Sequence, residues 1–493
     1  MPTNRRLSMA ACDIPLGDTT TIIDICPRDN QDDFLFPLDT NKSWFVRDSG
    51  RRVLPFTTVI QEFPYKGQGT WNGKLQFDIG NYKACDILFS VMLQIKLDHW
   101  FPPSILNKIK KKELVFRDQK DAWYYANSLG TTLIKDAELM LEDHTLEKVT
   151  GDFTNIASLL FPDMNMQYGL NDVYGKVGIS KLLNPDILQP YPNEDGWITC
   201  MIPFSFQREK MRSTFPLMSV KQGSVRINLT LRPFHECVRS ARLTRTSLED
   251  TPLEKTFVFI DKTYPYYKEE TFTTSSRIPD FKAMHLVTYG CILDGSYRQA
   301  LLHNPFDRIF RNVQTFTYDE PTKYTMIISN KDTIQVTLPL ECNGPVEEII
   351  WIVRRKGVNT NNEWTNYSST LENEYDPVFA PMGSLLKEAA IQIDGTEIIS
   401  NSESFFRRQI NGVHKGGIVS WLNNIYGYNF AMKPGHHDPS GWFNASRAND
   451  VRLRLKISPP GGSSDIDWEI IVFVISINWV RFQNGLASKV FNS

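Results

Sequence analysis

The stretch 86–98, DILFSVMLQIKLD, sets Ile87, Phe89, Val91, Leu93, Ile95 and Leu97 at every second position. Successive side chains of a strand point to opposite faces, so this spacing predicts a strand with one apolar face and argues against a helix. The pattern recurs along the chain. TLIKDAELMLE (132–142) repeats it with Leu133, Ala137, Leu139 and Leu141, and RINLTLR (226–232) and TIQVTLP (333–339) alternate likewise. DVRLRLKI (450–457) sets Val451, Leu453, Leu455 and Ile457 against Arg452, Arg454 and Lys456. In AAIQIDGTEII (389–399) the pair Asp394-Gly395 separates two apolar runs, the strongest short-range signal for a tight hairpin. Helical periodicity is confined to short connectors such as QALLHNPFDRIFRN (299–312). Many short strands separated by long irregular loops predict an all-β chain of antiparallel sandwiches, the Greek-key or jelly-roll class.

One stretch departs from the alternation. Residues 468–482, WEIIVFVISINWVRF, are apolar at nearly every position through Ile475. An antiparallel sheet normally wets one face, so a strand apolar on both faces is covered on both. The second cover is expected from another domain or another subunit, with a loop of the same chain as the simpler alternative.

At 493 residues the chain is too long for one hydrophobic core and suits two or three domains. Its 41% hydrophobic and 12% aromatic content supports sizeable cores and excludes global disorder. The 54 Lys and Arg face 56 Asp and Glu, a formal charge of -2, which argues against direct nucleic-acid binding. Such binding usually rests on a basic excess that displaces counterions. The run Lys108-Ile109-Lys110-Lys111-Lys112 reads as a solvated loop. Seven scattered cysteines, an odd number with no Cys-x-x-Cys pair, suggest reduced thiols rather than a disulfide framework or zinc site. The start, MPTNRRLSMAACDIPLGD, lacks the apolar core of a signal peptide, and the greasiest run, 470–475, is too short to span a bilayer. These features predict a soluble chain made in the cytosol. No nucleophile–base constellation, phosphate-cradling glycine loop or paired-carboxylate motif stands out, so neither catalysis nor a cofactor or metal is expected.

An ordered series of segments carries a resemblance. WNGKLQFDIGNYKACDILFSVMLQIKL (71–97), YYANSLGTTLIKDAELMLEDHTLEKVTGDF (124–153), MIPFSFQREKMRSTFPLMSVKQGSVRINLTLRP (201–233) and YGCILDGSYRQALL (289–302) come first. PVEEIIWIVRR (345–355), LLKEAAIQIDG (385–395), FAMKPGHHDPSGWFNASR (430–447) and INWVRFQNGLASKVF (477–491) follow. In this order they resemble the double jelly-roll major capsid proteins of the nucleocytoplasmic large DNA viruses, the giant-virus, iridovirus and phycodnavirus type. The resemblance runs from about residue 40 to the C-terminus. Cys85-Asp86 stands where the family usually has Gly-Asp, and Glu142-Asp143-His144 replaces a glycine-rich hairpin. Both departures fall in turns.

The resemblance implies two consecutive antiparallel eight-stranded jelly rolls with long inter-strand loops and short connecting helices. It divides the chain into an N-terminal arm (1–36), a first jelly roll (37–303) and a second (304–493), with loop insertions near 104–120, 155–195 and 234–280. It implies a homotrimeric, pseudo-hexameric capsomer tiling the icosahedral outer shell of a virion that is made and assembled in the host cytoplasm. Neighbouring capsomers and minor capsid and penton proteins would be its partners, with the internal viral membrane reached through the arm. A transient scaffold of the poxvirus type is the nearest alternative, and a jelly-roll enzyme or lectin a remoter one.

FAMKPGHHDPSGWFNASR admits three readings. Adjacent residues of an extended chain point to opposite sides, so His436 and His437 are poorly placed to share a metal ion with Asp438. Asn444-Ala445-Ser446 is a sequon, as are those at Asn41, Asn228 and Asn366, but glycosylation requires entry to the secretory route. The structural reading is favoured: Pro439 ends a strand, Ser440 shares the turn, and Gly441 supplies a backbone conformation that other residues resist. Asn444, Ser446 and Arg447 then hydrogen-bond backbone groups freed at a corner that launches 450–457 into the sheet. In the family the segment is a structural signature, to which the resemblance adds Trp351 and Gly395.

Overall fold

The computed structural model describes residues 55–80, 84–98, 121–162, 164–176, 196–208, 214–245, 255–259, 278–319, 324–329, 333–358, 362–369, 383–414, 424–436, 438–458 and 468–491. The predicted arm and the 104–120 insertion lie outside these residues.

Alternation dictates the strands. In Val451–Ile457 the four apolar side chains are buried while Arg452 is exposed and Arg454 and Lys456 half-buried, so one face enters a core and the other meets water. Ile87–Lys96 alternates cleanly only from Val91 onward. Contrary to the reading of 86–98, Leu88 is fully buried and Phe89 half-buried, with the Phe89 ring 5.4 Å from that of the exposed Tyr289. The cause is a register shift opposite Tyr289 and Gly290, which moves the core face by one residue.

Two pairs of sheets result. Phe56–Phe63, Ala283–Leu293, Ile87–Lys96 and Trp197–Met201 form one sheet. Lys66–Gly67, Lys74–Asp78, Val225–Leu231, Ile134–Leu141 and His144–Thr150 form its companion. The C-terminal part repeats this order. Phe306–Tyr318, Trp468–Gln483, Pro345–Arg355 and Ile425–Asn429 make one sheet, extended by Phe443–Asn444 and Leu486–Lys489. Thr325–Ser329, Thr333–Pro339, Val451–Ile457, Leu386–Ile393 and Thr396–Ser402 make the other. Numbered within its own part, each strand has a counterpart at the same place in the other. The same chain path is thus traced twice, as two jelly-roll lobes joined through the helix Gly295–His303. The N-terminal lobe sets four strands in one sheet and five in the other; the C-terminal lobe sets six, counting Phe443–Asn444 and Leu486–Lys489, and five, rather than four against four. In each five-stranded sheet the additional strand comes from an edge pairing, Lys66–Gly67 with Lys74–Asp78 and Thr325–Ser329 with Thr333–Pro339.

The Asp394-Gly395 hairpin forms with both residues at positive φ, +49° and +78°, the conformation of a tight primed turn. Three sequence readings need correction. Within 299–312 only the first part is helical; from Phe306 the chain is a long strand whose register is held by thirteen paired positions on Trp468–Gln483. The region 155–195 is not simply a loop, because Gly151–Leu160 and Met164–Val173 are helices. Thr150 starts the first by accepting from the Phe153 amide at 3.4 Å. Glu403–Val413 is its counterpart in the other lobe, since each helix follows the strand at the outer edge of the five-stranded sheet. Within 234–280, Val238–Arg245 pairs with both Lys255–Phe259 and Asp121–Tyr125 in a separate small sheet.

The doubly apolar strand is covered on both faces by its own chain. Trp468, Ile470, Val472 and Val474 enter the core of the C-terminal lobe, whereas Ile471, Phe473, Ile475, Val480 and Phe482 join the core of the N-terminal lobe. Phe473 lies 5.4 Å from Phe153, and Phe482 5.8 Å from Phe215. The second cover is therefore the other jelly roll, not a second subunit.

Candidate functional site: the corner loop and the interface between lobes

The corner begins where the chain leaves the sheet after Asn429. The Phe430 amide donates to the Glu347 carbonyl at 2.8 Å, and Ser440 Oγ accepts from the Lys433 amide at 2.8 Å, closing the loop. Gly441 has φ +148°, and a Cβ there would stand 2.7 Å from the Phe430 carbonyl oxygen. The chain re-enters the sheet through Phe443–Asn444, paired with Pro345 and Val346. Asn444 Oδ1 then accepts from the Ser446 amide at 3.2 Å, and Ser446 Oγ accepts from the Gly344 amide at 2.8 Å.

Two details differ from the sequence reading. Pro439 ends no strand, because the preceding strand has already stopped at Asn429; it is exposed in the loop. Arg447 closes a short 3-10 turn (Ala445–Arg447) with an exposed side chain, and no hydrogen bond from it to the corner is present among the described residues. The His436 ring accepts from the Asp438 amide at 3.3 Å, a local turn contact, and His437 lies outside the described residues. Asn366 is buried and donates to Glu363 Oε2 at 2.7 Å, so its sequon is closed to an enzyme in the folded chain.

Trp351 and Gly395 do not join the corner. Trp351 is fully buried, edge-on to Phe406 at 5.2 Å, and its indole N–H has no hydrogen-bond partner among the described residues. Gly395 sits at a hairpin tip with open space beside it. The adjoining Asp394 ties that tip to the strand entry, its Oδ1 accepting from the Asn449 and Asp450 amides at 2.7 and 3.0 Å.

What lies under the corner was missed in the sequence. The Arg311 guanidinium is bidentate on Glu347 at 2.8 and 3.0 Å and also donates to the His436 carbonyl oxygen. The available signal was Glu347-Glu348 inside the apolar run PVEEIIWIVRR, since a charge in a buried strand needs a partner. Glu348 has His414, whose Nε2 lies 2.6 Å from its Oε1. Around this centre the lobes are bolted together. Arg208 of the N-terminal lobe pairs with Glu147 at 2.7 Å and donates to the Arg311 carbonyl at 2.8 Å. Asn155 donates to the Tyr367 hydroxyl at 2.7 Å, and Trp364 Nε1 to the Glu236 carbonyl at 2.9 Å. The Arg232 guanidinium lies 3.9 Å from the Trp364 ring centre, close enough for a cation–π contact. Burial pushes the Cys85 thiol up to about 12, and it raises Cys200 and Cys237 as well, so none is a ready nucleophile. No three His, Cys, Asp or Glu side chains gather as a metal site among the described residues.

The architecture is a duplicated jelly roll whose two lobes share a core. Comparison with known proteins gives the family. Residues 43–261 match the family "Major capsid protein N-terminus" and residues 298–488 match "Large eukaryotic DNA virus major capsid protein". This chain belongs to the double jelly-roll major capsid proteins of the large eukaryotic DNA viruses, and it is a structural protein, not an enzyme. Among solved structures, the capsid of the virus PBCV-1 superposes with a TM-score of 0.64 at 14% identity, over 91% of this chain and 100% of that one. The Faustovirus major capsid protein gives 0.59 at 12% identity, over 89% and 92%. A chain of the Sputnik virophage structure gives 0.55 at 8% identity, over 95% and 93%. At these identities the likeness concerns the fold. No curated protein sequence is significantly similar to this chain.

Proposed function

We propose that three copies of this chain form a pseudo-hexameric capsomer that tiles the outer shell of an icosahedral virion. One observation carries the reading: two lobes of the same topology are fixed to each other through a shared core. Three such chains present six similar lobes, so a threefold particle fits a hexagonal lattice. Exposed apolar side chains supply contact surface. Phe56, Ile60, Tyr289 and Ile292 crowd the edge of one N-terminal sheet, and Met432 and Trp442 stand on the corner loop, 82% and 58% exposed. The same duplication supports a domain division at 303/304, with residues 37–303 and 304–493 as the two rolls. In this reading the corner residues Pro439, Ser440, Gly441, Asn444, Ser446 and Arg447, with Trp351 and Gly395, shape the second lobe. The neighbouring capsomers, minor capsid and penton proteins, and the membrane reached through residues 1–36, are its partners in the shell.

Quantitative mass spectrometry of purified mature virions tests the assignment against a scaffold that is shed. A shell protein is among the most abundant chains of the mature particle; a chain confined to immature particles is a scaffold.

A further inference from the structure

The two lobes do not close completely on each other. A cavity of about 550 Å³ remains between them, below the corner loop, within the size range of small-molecule sites. Met92, Phe161 and Leu170 of the N-terminal lobe and Val413 and Ile475 of the C-terminal lobe give it apolar walls. Met166, 58% exposed, marks its opening to solvent.

The ionisable groups on its wall each have a partner, on the wall or just behind it. Arg208 pairs with Glu147 at 2.7 Å, Arg311 with Glu347 at 2.8 Å, and Glu348 with His414 at 2.6 Å. A charged guest would have to enter without a counter-ion or separate a buried pair, either of which is costly. An apolar guest needs neither, and flexible methionines can fit themselves to it.

We propose that this cavity is a binding site for an uncharged aliphatic small molecule, which would act as a wedge joining the lobes. The site belongs to the folded chain and does not depend on how chains assemble. A ligand that binds the folded form alone raises its melting temperature.

Calorimetric titration of the purified full-length protein with octan-1-ol tests the proposal, alongside octanoate and octylammonium and with thermal melts in parallel. The expected result is saturable binding of octan-1-ol with a raised melting temperature, and binding weaker by about tenfold or more for both charged chains. Leu170→Trp fills the cavity and abolishes binding. Met166→Trp, at the exposed opening where folding is not at stake, weakens it by about tenfold or more. The proposal is overturned if octan-1-ol shows no saturable binding or the charged chains bind equally well. Unchanged binding in Met166→Trp overturns it too, even if Leu170→Trp fails to fold.

Discussion

Arg354 of the C-terminal lobe donates through Nη1 to Asp152 Oδ1 of the N-terminal lobe at 2.6 Å, and its Nε donates to Glu469 on the neighbouring strand. The guanidinium is 4% exposed, and Asp152 and Glu469 hold it charged despite its burial. One buried cation thus spans both lobes. Removing one partner of a buried pair is costlier than replacing the set by apolar groups, so Asp152→Ala should cost about 2–4 kcal/mol. The triple change Asp152→Leu, Arg354→Met and Glu469→Leu should cost less. Urea melts of the two variants check this, and a triple variant less stable than Asp152→Ala would reject it.

The shared core predicts that the lobes melt together. Phe473 of one lobe packs on Phe153 of the other, and both are fully buried. Phe473→Ala should cost about 3–5 kcal/mol and move one common transition. Calorimetry that resolves two independent transitions, only one of which shifts, contradicts a common core.

Gly441 isolates the backbone requirement of the corner. A β-branched side chain at φ +148°, against a carbonyl oxygen, is strained as well as crowded. Gly441→Val should cost roughly 1–3 kcal/mol and lower the melting temperature or soluble yield. Ser440→Ala removes one hydrogen bond and should cost about 1 kcal/mol or less. If Gly441→Val melts like the parent, the corner does not need its glycine.

Lys176 gives a pH signature. Its ammonium donates to Ser158 Oγ at 2.8 Å, and burial lowers it from 10.5 to about 8. Below about 8 both folded and unfolded chains carry the proton, and the folded one bears the full cost of burying it. Between about 8 and 10.5 the folded chain sheds that proton first, so this group's contribution to stability rises with pH through that window. Lys176→Met should remove the rise, as melts across the window would reveal. A variant that keeps the parent's pH profile would show that Lys176 titrates normally.

Much of the fold was legible because local periodicity reports burial directly. Val451, Leu453, Leu455 and Ile457 face the core as their spacing says, and Asp394-Gly395 turns where the dipeptide requires. Phe89 misleads because a register shift depends on its partner strand, which the segment itself does not encode. The 306–312 segment reads as helix because its apolar residues fall at both spacings, and only the long pairing with Trp468–Gln483 decides for strand. The double cover of 468–482 was legible but its source was not. The Arg311–Glu347 and Arg354–Asp152 pairs join residues far apart in sequence; Glu347 in an apolar run signals the need for a partner, but no local pattern says which residue supplies it.

In the proposed capsomer one chain supplies two of six lobes. Mass photometry of the purified protein tests it most directly. A dominant species at three times the 56.7 kDa chain mass is the expected result. A protein that stays monomeric at micromolar concentration would contradict the trimeric capsomer.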